Sequence, residues 1–493
     1  MKCCTTTCQK WTTFSVAGLF ILLGVLLAVL WKDLFQKIAN YELSLVNRKT
    51  KGYDNWIETP IPMYLQFYLF NWTNPEDVTN SAIKPNFEEH GPYTYYEHHI
   101  RENVTFNDNG TITFQTKRLW RFLPEKSVGS LSDEITTLNP IVVTIGNLVK
   151  YKHHLVKRGV NFFLKEKRVR LAVTKNVSQF LFDGYEDPML DLVHKLNITG
   201  FNVPYTKFGW FVERNGSAEY DGVFNMYNGG NDINKLGLLT TWNYNDTVSF
   251  FKGDCGKVDG TIGELWYPPR DRSSIKLFAS DLCSSVELIR KAEYTTYGIE
   301  GHKYVGSDKV FDNGTSYKEM QCFLTDGVQL LSGVRNVSAC KFGAPAFVSY
   351  PHFYLADPGY REAVSGMHPD QTKHEMYIAL EPSTGLPLRV QASFQINLKM
   401  DPVDGIDILT NITSTMMPSF WFKQTADLSE DLAAQAKVLL VAPVVGTNTG
   451  YGFIGIGALL IVVGVFITYR RGWKQSEEEE LLNGRQSSKV NNK

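Results

Sequence analysis

Apolar residues gather in two long runs near the ends of this 493-residue chain and in short patterned segments between them. The first run, Trp11 to Trp31, lies between Lys10 and Lys32 and holds no charged residue. At about 1.5 Å of rise per residue it predicts a helix of roughly 31 Å, the thickness of a hydrocarbon core, in which the backbone must satisfy its own polar groups. Ala28-Val29-Leu30-Trp31 supplies no small-residue cleavage site, so the run reads as an uncleaved signal-anchor. The second run, Val438 to Tyr469, is also charge-free and is followed at once by Arg470, Arg471 and Lys474. Pro443 and the stretch from Gly446 to Gly450 interrupt its first half, which places the second span at residues 451–469. Lys2 and Lys10 on one flank and the basic cluster on the other assign residues 1–10 and 470–493 to the cytosol. The remainder, 32–450, is a glycosylated ectodomain large enough for a substantial core.

Within the ectodomain the period of the pattern changes repeatedly. Leu34, Ile38, Tyr41 and Leu45 recur at helical spacing and predict an amphipathic stalk. Met63 to Phe70 is dense enough in aromatic and aliphatic residues for a strand buried on both faces. Gly91 to Tyr95 and Thr111 to Gln115 read as further strands, the second after an Asn109-Gly110 hairpin turn. From Leu131 to Arg170 the pattern turns helical: Leu148, Tyr151, Leu155 and Phe162 form one stripe, and Lys150, His154, Lys157, Arg158 and Lys165 another. Val390, Phe394, Ile396, Leu398 and Met400 alternate with polar residues, a strand with one face in the core. Leu428, Leu432, Ala436 and Leu439 outline a last helix. The fold class is therefore α+β, mostly antiparallel β with a helical insertion.

A formal net charge of -1 excludes a nucleic-acid binder driven by overall basicity. Charge matters locally instead: Lys150 to Arg170 holds eight Lys or Arg residues against the single acid Glu166. The cysteines divide by compartment. Cys255, Cys283, Cys322 and Cys340 imply two external disulfides with three possible pairings, and Cys3, Cys4 and Cys8 are candidates for palmitoylation. N-glycan sequons stand at Asn71, Asn103, Asn109, Asn176, Asn197, Asn215, Asn245, Asn313, Asn336 and Asn411, all between the two spans, and each occupied one must face water. In the tail, Glu477 four places before Leu481-Leu482 matches an acidic dileucine sorting signal for clathrin adaptors. No catalytic constellation, metal site or cofactor motif emerges. His374-Glu375 lacks a second histidine, and Gly452, Gly455 and Gly457 lie in a membrane span, where helix packing explains them.

FYLFNWTNPEDV (Phe67 to Val78), KPNFEEHGPYTY, FGW (Phe208 to Trp210), YDGVF (Tyr220 to Phe224), PHFYLAD (Pro351 to Asp357) and EPSTGLP (381–387) follow one another along the chain. Together they closely resemble the class B scavenger receptors, and within them a phagocyte receptor for apoptotic corpses. The resemblance implies an irregular antiparallel β-barrel core, a helical bundle at a membrane-distal apex, and an apolar tunnel carrying lipid. It implies the pairings Cys255–Cys322 and Cys283–Cys340. The family's third bridge is missing, because Leu324 stands at its second cysteine position. It also implies that apical lysines, here Lys165 and Lys167, engage anionic ligands, with Lys150, Lys157 and Arg158 contributing charge and Leu155, Phe162 and Phe163 an apolar contact. The expected protein is a non-enzymatic receptor that takes up oxidised lipids, modified lipoproteins or apoptotic cells. It resides in the plasma membrane, cycles to endosomes and lysosomes, and has lipids and fatty acids, clathrin adaptors and a further copy of the chain as partners. The alternative expectation is an endolysosomal membrane protein acting in sorting or lipid export.

Overall fold

A computed structural model describes residues 6–190, 206–325 and 327–490, with only the backbone of 6–10 and 471–490. The chain divides into a terminal unit, made by the first and last helices, and a central unit, Glu42–Glu430.

In the terminal unit, helix α1 (Thr6–Leu43) packs on the C-terminal helix (Glu430–Val490). Both contain stretches long and apolar enough to cross a membrane, Trp11–Leu43 and Glu430–Arg470. The Trp31 indole donates to the Ala442 carbonyl at 3.0 Å, and Phe20 meets Phe453 edge to face. The expected interruption at Pro443 and Gly446 to Gly450 does not occur; the helix runs straight through them. The reason lies in the partner helix. A Cβ at Gly446 would strike the Trp31 ring, and one at Gly450 would strike the backbone of Gly24 and Ala28, so these glycines permit close approach. Gly457 acts likewise against Ala17 and Ile21, whereas Gly452 and Gly455 face open space.

The central unit is built on one antiparallel sheet. Its strands are β1 (Met63–Trp72), β2 (Phe87–Phe106), β3 (Thr111–Phe122), β6 (Val223–Tyr227), β7 (Leu239–Trp242), β8 (Ser274–Ala279), β9 (Ser284–Thr296), β10 (Ile299–Gly306), β13 (Tyr377–Leu380), β14 (Pro387–Met400) and β15 (Thr415–Asp427). Their order is β7-β6-β3-β2-β1-β15-β14-β13-β10-β9-β8, with β12 (Ala346–Ser349) on β14 and β11 (Arg335–Asn336) on β12. The two ends are nearly joined. Leu239 N donates to Gly260 O at 2.8 Å and Phe278 N to Thr261 O at 2.7 Å, so residues 260–261 bridge β7 to β8. Closure of this kind removes exposed strand edges and encloses an interior.

Three elements differ from expectation. The stretch expected to be helical from residue 131 begins with a strand, β4 (Glu134–Leu138), paired with β5 (Ala172–Asn176); β-branched Ile135, Thr136 and Thr137 favour it. β1 buries mainly one face, since Tyr64, Gln66 and Tyr68 are half-exposed. Along β14 the polar side is buried as well. Gln391 donates to the Glu375 carbonyl, Gln395 accepts the His352 amide, and Asn397 donates to Ser349 Oγ, so each polar group exchanges water for a partner.

Candidate functional site

Two regions are candidates for function, one outside the sheet, to which the sequence drew attention, and one within it. Outside, after the short helix α2 (Lys51–Ile57), lie helices α3 (Pro140–Val149) and α4 (His154–Glu166). Asn139 caps α3 by accepting from the amides of Ile141 and Val142, and Pro140 occupies its first turn. Val160 and Leu164, one turn apart, bury the inner side of α4, with Phe163 half-buried beside them. Reciprocal bonds between Asn161 and Asp407, at 3.1 and 3.0 Å, pin the helix from its flank.

The outer side of α4 is apolar and cationic at once. Leu155 is 61% exposed and Phe162, two turns on, 70% exposed, with Tyr151 open to solvent just before the helix. Of the expected contact residues, Leu155 and Phe162 therefore face outward, whereas Phe163 packs toward the core. Among the cations, Lys150 is committed to Asp401 at 3.0 Å, Lys165 pairs with Asp407, and Lys167 lies 3.1 Å from Glu166 and over the Phe163 ring. Among the described residues no carboxylate pairs with Lys157 or Arg158. The pairs at Lys165 and Lys167 are open to solvent, where ion pairs are weak and exchangeable. The cluster thus offers mobile positive charge around two bare hydrophobic side chains.

Inside the sheet are two neighbouring cavities of about 150 and 220 Å³. They share Phe211, Arg214, Asp281, Phe394 and Phe422 in their walls. The larger is bounded by Ile141, Ile145 and Leu148 of α3 and by Trp210, Ile396 and Phe420, and is mainly apolar, with Lys207, Arg214, Asp281 and Lys341 also in its wall. Residues 150–153 alone separate α3 from α4, so the cavity wall and the exposed patch lie on consecutive helices.

The smaller cavity carries a buried charge network. His99 bridges Glu97 (2.7 Å) and Glu264 (2.8 Å), and Glu264 also pairs with Arg101. Arg214 joins Asp221 (2.9 Å) to Asp281 (3.0 Å), and Arg118 lies 2.9 Å from Asp221. Burial alone would push the His99 pKa down, but Glu264 and Glu97 outweigh it and hold the imidazolium above its ordinary range. Burial raises Glu97 and Glu264, yet His99 with Arg118, and Arg101 with His99, bring both below the usual carboxylate range. Sequence reasoning missed this network. The available signal was the alternation of Thr116, Arg118 and Trp120 along β3, which puts all three on one face.

The remaining sequence-derived residues sit as follows. Cys255 is bridged to Cys322 and Cys283 to Cys340, with Cα separations of 5.7 and 6.6 Å. Asn103, Asn109, Asn215, Asn245 and Asn411 are exposed, and Asn71, Asn176 and Asn336 are partly so. Asn313 differs from the other described sequons: it is 4% exposed, donates to the Leu331 carbonyl and accepts from Thr315 and Gln329. Asn197, Cys3 and Cys4 lie outside the described residues. Cys8 is on the α1 backbone, and Glu477, Leu481 and Leu482 are on that of the C-terminal helix.

A model of the CD36 family matches residues 15–468. The chain is 35% identical over 427 residues to "Protein peste" of Drosophila melanogaster, covering 86% of this chain and 76% of that protein. It is 30% identical to "Scavenger receptor class B member 1" of Bos taurus, covering 92% and 88%. To "Lysosome membrane protein 2" of Homo sapiens it is 31% identical, covering 92% and 94%.

Proposed function

The chain belongs to the CD36 family of class B scavenger receptors, and from that premise we propose that it captures anionic lipid-bearing particles on α4 and takes lipid into the cavities of the sheet. The observation that carries this reading is the exposure of Leu155 and Phe162 among Lys157, Arg158, Lys165 and Lys167 on a helix whose opposite side is buried. A soluble helix gains nothing from such residues in water, whereas an acyl surface bearing phosphate or carboxylate meets both components. Lysines suit an irregular anionic surface because each presents a compact charge on a flexible stem. The apolar cavity beside α3 supports the second half of the reading, transfer of lipid or fatty acid inward.

Cells expressing Leu155→Ser/Phe162→Ser should lose most uptake of phosphatidylserine-rich vesicles at unchanged surface level, since each side chain contributes about 2 kcal/mol when buried. Lys165→Glu/Lys167→Glu should do the same by charge. Unchanged uptake in both variants would refute the patch. We read the protein as residing at the plasma membrane with both termini cytosolic. The likeness to a lysosome membrane protein and the dileucine at Leu481-Leu482 favour cycling through endosomes and lysosomes by clathrin adaptors. Leu481→Ala/Leu482→Ala should shift the steady-state distribution toward the surface, as seen by surface biotinylation.

A further inference from the structure

The outer side of the sheet carries a groove along β1 and β15. Leu65, Phe422 and Gln424 border the interior cavity, so the residues that alternate with them, Tyr64 and Gln66 on β1 and Lys423 and Thr425 on β15, face outward. Gln66 stands opposite Lys423, and Tyr64 opposite Thr425. All four are partly exposed, whereas their outward neighbours Thr94 on β2 and Gln391 on β14 are buried. Each of those two lies under a wall. The Thr94 amide donates to Ser127 Oγ at 2.9 Å and its hydroxyl to the Lys126 carbonyl at 2.7 Å, so residues 126–127 cover β2. Gln391 donates to the Glu375 carbonyl at 2.8 Å, which lays the end of the short helix Gln371–His374 over β14.

The groove is cationic. Lys423 is half-buried in its floor, and Lys126 and Lys373 are exposed on its opposite walls. Among the described residues no carboxylate pairs with any of the three. The acids close by are engaged elsewhere: Glu375 with Lys303, Asp427 with Arg389 and Glu89 with His352. Burial, and after it Arg389 and Lys373, push the Lys423 pKa below the ordinary lysine range. A half-buried ammonium among other cations is unfavourable until an anion joins it. Aromatic surface lies beside the charge. Lys126 Nζ sits 4.5 Å above the Tyr64 ring, and Tyr96 meets Tyr64 edge to face. No sequon falls within 64–68, 94–98 or 421–427, so no N-glycan is attached to these outward residues.

A flat bilayer does not reach a walled floor. An extended acidic peptide gains much of its affinity from a free sheet edge, which β1 and β15, in mid-sheet, do not offer. A sulfated sugar chain is recognised through side chains alone. Its sulfates meet lysine point charges, and the C–H face of a pyranose ring lies against the negative face of a tyrosine. We propose that Lys126, Lys373 and Lys423, with Tyr64 and Tyr96, form a docking groove for a sulfated polysaccharide, a second interaction surface on elements other than α4.

The full chain, reconstituted in phosphatidylcholine nanodiscs, is acylated at its lysines with and without a heparin octasaccharide, and the modified peptides are quantified by mass spectrometry. The octasaccharide should shield Lys126, Lys373 and Lys423. Lys423→Met, which keeps the packing of the stem, should weaken octasaccharide binding about tenfold, the loss of one charged hydrogen bond. The exposed pair Lys126→Gln/Lys373→Gln should weaken it about fivefold and keeps the proposal testable if Lys423→Met does not fold. Shielding confined to Lys157, Lys165 and Lys167 would overturn the groove and leave the sugar on α4. Unchanged affinity in the exposed pair, or equal binding of the desulfated octasaccharide, would overturn it as well. Equal shielding by an octapeptide of glutamate would replace the sugar by an acidic protein segment and so overturn the assigned partner.

Discussion

The outer side of α4 and the inward row of β3 are made from the same materials, cations beside aromatic rings, and behave oppositely because one is in water and the other is not. Lys165 and Asp407 are 63% and 54% exposed, whereas Arg214 and Asp221 are each 4% exposed. In high dielectric a pair is worth little and either partner is free to leave for a ligand. Inside, desolvation makes every charge dependent on its neighbours, so the network is held in one arrangement. A capture surface needs the first property, and a binding cavity with a defined orientation needs the second.

The sharpest way to break this comparison is to remove one interior acid. Asp221→Ala takes from Arg118 its nearest carboxylate and leaves Arg214 with Asp281 alone, and should cost about 3 kcal/mol in chemical unfolding of the solubilised protein. A loss below about 1 kcal/mol would place the interior pairs on the footing of surface ones.

A smaller effect is expected from pH. Because His99 has its pKa raised in the folded protein by Glu264 and Glu97 against burial, its contribution is complete below the unfolded value of about 6.5 and is lost as pH rises through the folded value. The melting temperature should therefore fall from pH 6 toward pH 9, and His99→Gln should flatten that slope. An identical slope in both proteins would remove His99 from the account. On the surface, Lys165→Ala should alter stability by no more than about 0.5 kcal/mol despite deleting an ion pair.

The least perturbing test uses the glycans. Asn313→Gln should leave the glycosidase-sensitive mass unchanged, because the folded chain buries that amide, whereas exposed Asn103→Gln should remove one glycan's mass if that site is occupied. A mass shift for Asn313→Gln would show that this segment opens to the surface.

Much of the architecture was legible in the residues. The two long apolar runs, the hairpin turn at Asn109-Gly110 and the basic stretch around α4 each depend on neighbours within a few positions, which is the range over which periodicity carries information. That range also explains the differences. Pro443 and Gly446 to Gly450 look like breakers along the chain, yet they lie within an unbroken helix, with Gly446 and Gly450 packed close against the other helix. Asn313 matches a sequon and is buried by residues 315–331.

Composition and periodicity alone mark which segments are long and apolar enough to cross a membrane, which cysteines stand together between those segments, and where positive charge collects. It takes the folded chain to turn Leu155 and Phe162 away from the core and to bring Thr116, Arg118 and Trp120 together with Arg214 and residues as distant as Gln424 around one cavity. The division is physical. Hydrophobicity and charge are properties of single residues and short runs, but a cavity and the pairing of its charges arise from strand register and sheet closure, which bring together residues from opposite ends of the central unit.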